Sequence, residues 1–226
     1  MTNNIERLNS MLGEVEKFNK KQLMEAFYWM ALGDGHIEKP LRGDCLLSIS
    51  HILKHEDYIC WKASIIERAL RCSVKPNRNK SFNGHCDTWR LRTQHHPWFT
   101  KVRKNIYEPL GRKMIDSMSL SLLDSLGLAI LYQDDGSYHY STNAGHNILI
   151  HKLCFSFFEL QALAKTIVDK WGIIFRINET KGKGFGYRLR LRASDKDKFF
   201  NLIMPYIVPS MLYKVGKGGT SNEVVI

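Results

Sequence analysis

Asp34 and Asp135 stand 101 positions apart, and so do Lys113 and Lys214, which gives each half of the chain a carboxylate-to-lysine spacing of 79. Both aspartates close an apolar run as the first member of an Asp-Gly pair, and both lysines follow the last helix-like stretch of their half. A third landmark agrees: Trp89-Arg90-Leu91-Arg92 and Tyr187-Arg188-Leu189-Arg190 correspond at an offset of 98, which needs only a three-residue loop difference. Three landmarks in step point to an internal duplication, so the chain is expected to fold as two copies of one unit.

Hydrophobic periodicity gives that unit its shape. In the first half Gln22 to Gly33 reads as an apolar helix that stops at Asp34-Gly35, where glycine permits the turn. Short strand-like pieces follow, with Cys45 to Ser50 as a strand, His55 to Arg71 as an amphipathic helix, Ser73 to Asn79 and Asp87 to Gln94 as strands, and Trp98 to Leu110 as a helix. The second half opens with a helix from Leu120 to Gln133, again closed by Asp-Gly, followed by strands Ser137 to Tyr140 and Asn147 to Leu153. A helix from Ser156 to Trp171, strands Ile173 to Glu179 and Phe185 to Ala193, and a helix from Lys196 to Tyr206 complete it. The expected class is α+β: two pseudo-symmetric αββαββα modules, residues 22–113 and 114–214, with a polar, partly helical extension over 1–21 and a tail over 215–226.

With 226 residues, 44% of them hydrophobic, the chain can bury a core. Thirty-three Lys and Arg against 22 Asp and Glu leave a net charge of +11, and that balance calls for an anionic partner, nucleic acid first. The cysteines Cys45, Cys60, Cys72, Cys86 and Cys154 are odd in number and form no CxxC pair, which argues against a disulfide framework and against structural zinc. His85, His95 and His96 lack a second cluster at ligand spacing and read as ordinary polar residues. Gly182, Gly184 and Gly186 have the spacing of a phosphate loop, but no helix follows them, so a β-turn is expected. No run approaches the ~20 apolar residues of a membrane span, and the start Thr2-Asn3-Asn4 is unlike a secretory signal. The expectation is a soluble intracellular protein, in a bacterial or phage-infected cytoplasm or an organelle, with no membrane partner.

Phosphodiester hydrolysis calls for a divalent cation, which stabilises transition-state charge and makes hydroxide available near neutral pH. Asp34 and Asp135 sit at helix C-termini, where unpaired carbonyls add hard oxygen ligands suited to Mg²⁺. Helices packed side by side would bring both carboxylates to one place, and Ala26, Ala31, Gly33, Gly127 and Ala129 offer the small side chains such packing wants. A lone Asp-Gly merely stops a helix; two at matching repeat positions carry the chemical reading.

Leu128-Ala129-Ile130-Leu131-Tyr132-Gln133-Asp134-Asp135-Gly136 matches the nine-residue LAGLIDADG motif at five positions, and Phe27-Tyr28-Trp29-Met30-Ala31-Leu32-Gly33-Asp34-Gly35 keeps its closing Asp-Gly. Met204-Pro205-Tyr206-Ile207-Val208-Pro209-Ser210-Met211-Leu212-Tyr213-Lys214 is similar to the segment that carries the central lysine in intron-encoded single-chain members. From about Gln22 to Lys214 the chain therefore resembles the LAGLIDADG homing endonucleases. The resemblance implies motif helices at the module interface and two curved antiparallel sheets forming a DNA-binding saddle. It implies metal binding by Asp34 and Asp135 with help from the carbonyls of Gly33 and Asp134, and Lys113 and Lys214 polarising the attacking waters or the phosphates. Mg²⁺ is the implied cofactor, with Mn²⁺ as an alternative and Ca²⁺ binding without supporting cutting. The implied enzyme is a monomer that cuts both strands of a long double-stranded DNA site.

Strand alternation adds a reading surface. Arg90, Arg92 and Gln94 share one face, as do Arg188, Arg190 and Arg192 in the second module, with Lys75, Arg78, Lys80, Arg176, Asn178, Lys181 and Lys183 on or beside the neighbouring strands. Such a β-surface fits the major groove, where Arg reads guanine, Asn or Gln reads adenine, and other basic groups hold phosphates. The competing reading is a binding protein of the same fold, an intron RNA maturase or a DNA-binding regulator that does not cut. Retention of both Asp34 and Asp135 favours cutting. An unrelated nuclease with an acidic-x-Lys strand motif finds its letters only in Asp195-Lys196-Asp197-Lys198, which reads as a helix start.

Overall fold

The computed structural model describes residues 2–81, 84–107, 111–143, 145–151, 154–180 and 186–217; at 2, 3, 79–81 and 84–86 it describes the backbone alone. In chain order the elements are α1 (Thr2–Val15), α2 (Lys20–Leu32), β1 (His36–Glu38), β2 (Leu46–Ile52), α3 (Glu56–Glu67), β3 (Cys72–Ser81), β4 (Gly84–Thr93) and α4 (Pro97–Tyr107). There follow α5 (Ser117–Ser121), α6 (Ser125–Asp135), β5 (Gly136–Ser141), β6 (Gly145–His151), α7 (Phe157–Trp171), β7 (Phe175–Thr180), β8 (Gly186–Leu191) and α8 (Lys196–Ile203). Two four-stranded antiparallel sheets run in the same relative order, β1-β2-β4-β3 and β5-β6-β8-β7. The duplication read from spacing is thus a duplication of topology.

Local chemistry sets the helix limits. A reciprocal capping box of Asn19 and Gln22 opens α2, and one of Ser156 and Glu159 opens α7. Gly172, at φ 59°, ends α7 in the left-handed conformation that a side chain would resist. The stretch expected as one helix from Leu120 is two, because Asp124 turns its carboxylate onto the Leu126 N–H and caps a new start for α6. The last helix stops at Ile203 and tightens into a 3₁₀ turn over Met204–Tyr206, since Pro205 has no N–H to extend the α ladder. The polar extension is a regular helix fastened to the body of the protein. Its Arg7 guanidinium donates to the carbonyls of Met204 (2.6 Å) and Ile207 (2.8 Å), tying α1 to the end of the second module.

The motif helices α2 and α6 pack directly against each other. From Glu25 to Leu32 and from Leu126 to Gln133 every residue is buried, the pattern of a helix with neighbours on all sides. Close approach depends on Gly127, where a Cβ would fall 2.4 Å from Trp29 Cδ1. Glu25 reaches across from α2 and accepts from the N–H groups of Asp124 and Gly127, satisfying donors at the start of α6. Burial first, and the Asp124 side chain next, push the Glu25 carboxyl up to about 9. A carboxyl raised in the fold binds its proton more tightly there than in the unfolded chain, so its stabilisation is complete below the ordinary glutamate range and is lost as pH rises toward about 9. Glu25→Gln removes this titration and keeps an acceptor oxygen. It should be more stable than the parent at pH 8 by roughly 1 kcal/mol or more, about 2–4 °C in Tm, with the advantage vanishing near pH 4; thermal melts at the two pH values check it.

Candidate active site and nucleic-acid interface

Each motif helix ends on a carbonyl cluster that a lysine caps. The Lys113 ammonium donates to the carbonyls of Gly33 and Gly35, both at 2.5 Å. In the second module the Lys214 ammonium donates to Gln133 O (2.6 Å) and Asp134 O (3.2 Å). The matched spacing of 79 therefore brings each lysine to its own motif end, with Gly33 O and Asp134 O as equivalent acceptors and the second acceptor differing, Gly35 O in one module and Gln133 O in the other. Burial pulls both ammonium groups below the ordinary lysine range, and the carboxylates of Asp134 and Asp34 work against that pull. Asp34 lies between Gly33 and Gly35 with its side chain about one-third exposed (38%), while Asp135 is the last residue of α6, ahead of β5.

Between the two ends lies a group the sequence did not announce. The Asp134 side chain, shut off from solvent, crosses into the first module. Its Oδ1 accepts from Lys62 Nζ (2.6 Å) and Tyr58 Oη (2.8 Å), and its Oδ2 accepts from the backbone N–H of Asp34 (3.0 Å). Burial alone would raise its carboxyl, but the Lys62 ammonium and these hydrogen bonds hold it below the ordinary aspartate range. Lys62 Nζ also lies 3.1 Å from His51 Nε2, and His51 Nδ1 lies 3.8 Å from Asp34 Oδ2. Burial and then Lys62 lower His51 to about 3, so the ring is neutral at pH 7. An ammonium only donates, so Nε2 is the acceptor and Nδ1 carries the hydrogen, directed toward the Asp34 carboxylate. Ligand atoms of Asp34, His51 and Asp134 lie within 4.8 Å of one another, a spacing a metal could use, but Lys62 brings its own cation into the group.

The arginine faces come out as alternation requires. In the first sheet Arg90 pairs with Ser50 and Lys75, and Arg92 with Ser48 and Ser73, on the face opposite Leu91. Helices α3 and α4 cover the other face. Glu38 of β1 receives both guanidiniums, from Arg90 and Arg92 at 2.7 Å each. Arg78 alternates with Lys75 and so points to the other side of β3, opposite Asp87, with 3.9 Å between the charged groups. In the second sheet Arg176 stands opposite Arg190, and Asn178 opposite Arg188. Gln94 and Arg192 lie beyond the ends of β4 and β8; Arg192 is paired with Asp195 at 2.8 Å. Lys181 and Lys183 fall outside the described residues, and Lys80 is described by its backbone alone. No helix among the described residues is long and apolar enough to cross a membrane.

Residues 24–199 match the model of the LAGLIDADG DNA endonuclease family. The chain belongs to that family. Among curated relatives, a probable intron-encoded endonuclease 1 of Wickerhamomyces canadensis is 25% identical over 81% of this chain and 79% of its own length. A cytochrome b mRNA maturase bI2 of Debaryomyces hansenii is 26% identical over 90% and 78%. Among solved structures, the homing endonuclease I-WcaI bound to its DNA recognition sequence superposes with a TM-score of 0.74 at 23% identity, covering 88% of this chain and 89% of that one. I-DmoI in complex with DNA and Mn superposes at 0.55, with 14% identity and 82% of this chain covered. The homing endonuclease fold is thus shared.

Within this LAGLIDADG frame, spacing and periodicity locate Asp34, Asp135 and both lysines, the family resemblance adds only the carbonyl of Asp134, and its side chain, Lys62, Tyr58 and His51 escape both. A signal existed. Ile59, Lys62, Ala63 and Ile66 share the buried face of α3, and a lysine on that stripe demands a buried partner. Gly33 is the other half of the arrangement, since a Cβ there would fall 2.0 Å from Asp134 Oδ2. Gly33→Ala should displace that carboxylate from Lys62 and cost roughly 2–5 kcal/mol, read by urea denaturation; a variant of parental stability would show that Asp134 has room to step aside.

Proposed function

We propose that this LAGLIDADG endonuclease holds its divalent cations on Asp34 and Asp135, assisted by the carbonyls of Gly33 and Asp134, and cuts both strands of one duplex bound across its two sheets. The observation that carries the reading is the meeting of two Asp-Gly helix ends, each with a lysine drawn onto its carbonyls. The donor set fits the group: hard carboxylate and carbonyl oxygens, in a place where this chain already concentrates ammonium groups on oxygen. Mg²⁺ suits such ligands, Mn²⁺ can replace it, and Ca²⁺ would bind without supporting cutting. When bound, the cation stabilises charge developing on the phosphoryl oxygens and lowers the pKa of the attacking water.

The chain's own residues do the rest. Lys113 and Lys214, tethered by their carbonyl contacts, present positive charge beside each aspartate and orient the scissile phosphate or its attacking water. Arg90, Arg92 and Lys75 on one sheet, and Arg176, Asn178, Arg188 and Arg190 on the other, face the duplex, with Gln94, Arg192 and Arg78 at its margins. Glu38 fixes the forks of Arg90 and Arg92 before contact, which lowers the entropic cost of base readout. Because each module carries one catalytic end and one sheet, a single chain serves both half-sites and acts as a monomer. The likeness to the Debaryomyces maturase supports a second role on intron RNA, which retention of an intron transcript in the presence of excess duplex would test.

Asp34→Asn and Asp135→Asn should each abolish double-strand cleavage in Mg²⁺ and leave duplex affinity in Ca²⁺ nearly intact. Double-strand breaks at the parental rate would remove that carboxylate from the site. Arg188→Ala should weaken binding, by about 1–3 kcal/mol if it reads a guanine. If it holds a phosphate instead, the slope of log affinity against log salt should become shallower by about one. Lys113→Ala and Lys214→Ala should slow single-turnover cleavage more than they weaken binding. An arginine variant slow only in cleavage, with lysine variants weak only in binding, would reverse the division between reading surface and catalytic centre.

A further inference from the structure

The repeat offset of 101 places Lys62 of α3 on Leu163 of α7, and Asp134 on Gly33. The register agrees, since Ile49 opposite Leu91 corresponds to Ile150 opposite Leu189. Leu163 is fully buried and Gly33 has no side chain, so the ion pair of Lys62 with Asp134 has no counterpart at the related position. Tyr58 maps onto Glu159, which instead binds Arg112 at 2.8 Å. His51 maps onto Lys152, outside the described residues. The two motif ends share a backbone plan and differ in what surrounds them.

Among the described residues, what Lys62 adds bears on Asp34. Through Asp134 the Lys62 ammonium holds the Asp34 backbone N–H, and through His51 it orients a ring N–H toward the Asp34 carboxylate. A buried, branched network of this kind leaves its groups few alternative arrangements. The leucine and glycine at the related position cannot build the same network around Asp135.

We infer that Lys62 is a positioning residue for the Asp34 centre alone, acting through Asp134 and His51, so that the enzyme has two unequal centres and loses one strand's cleavage selectively when the ion pair is removed. The inference rests on the assignment of Asp34 and Asp135 to separate centres. Lys62→Leu by itself strands a buried carboxylate and endangers the fold, so the informative variant is Lys62→Leu with Asp134→Gly, which installs the Leu163 and Gly33 combination and removes both charges together. The substrate is a duplex that the parent cuts, recovered from a random library and labelled separately on each strand.

In single-turnover reactions with Mg²⁺ the double variant should slow one strand by roughly 10- to 100-fold relative to the other. That strand should be the one that Asp34→Asn slows more, and duplex affinity in Ca²⁺ should stay within about twofold, since no DNA-facing side chain is altered. A merely structural pair would move both strands by the same factor. Equal slowing of the two strands, parental rates on both, or slowing of the strand that Asp34→Asn spares would each overturn the inference, as would Asp34→Asn slowing both strands alike. Parental cutting of both strands by Asp34→Asn is a different result: it would bring down the site assignment beneath the inference.

Discussion

Two apolar helices from different modules run against each other with a tryptophan over a glycine at one level and a carboxylate over a glycine at another. Trp29 fills the space that a side chain at Gly127 would take, and Asp134 fills the space that one at Gly33 would take. The contact is therefore a pair of large-into-absent exchanges, and both are needed for the helices to approach along their length. From that approach follows the meeting of the Asp-Gly ends, and from the meeting follows a site shared between modules. The sheets that carry the arginines begin directly at those ends: β1 starts two residues after Asp34 and β5 immediately after Asp135. Chemistry and reading surface are thus held in a fixed relation by short, stiff connections.

The basic faces are not simply surplus charge. Arg90 and Arg92 converge on Glu38, and Arg192 is committed to Asp195 at the entrance to α8. A carboxylate among arginines lowers the local field, which costs nonspecific attraction, but it holds the guanidinium forks in one orientation. With a net charge of +11 the chain has attraction in reserve, and orientation is the scarcer quantity for a protein that must distinguish one duplex from another. In the second sheet the cross-strand pairing of Arg176 with Arg190, like charges directly opposite, has the other sense: a repulsion that an anionic partner relieves.

How much of this is legible in the residues depends on the range of the interaction. Spacing finds the duplication and both lysines, because a repeated fold repeats its intervals. Alternation finds the arginine face, because a strand's period of two is local. The break between α5 and α6 escapes periodicity because Asp124 caps from inside an apolar run. Nearness in sequence groups Arg78 with Lys75, although parity along β3 separates them. The deeper omission is the Asp134 side chain, whose partners lie in another module, 72 positions away at Lys62 and 76 at Tyr58. Motif comparison reads Asp134 as the neighbour of a catalytic aspartate. Only the path of α3 past the end of α6 turns it into the acceptor for a buried lysine.

That lysine poses a question the fold itself answers. A buried ion pair is weak support for stability, since an apolar pair of similar volume is often as good or better by about 1–4 kcal/mol. In most proteins the alternative has to be imagined. Here the second module contains it: at the related positions Leu163 is fully buried on α7 and Gly33 has no side chain, within the same sheet topology. The architecture is therefore satisfied without the charges, and packing gives no reason for their presence in the first module. What the charges add is a hold on Asp34, through its backbone N–H on one side and toward its carboxylate on the other. Duplication supplies two equal Asp-Gly helix ends; a lysine on one buried helix face is enough to make their surroundings unequal.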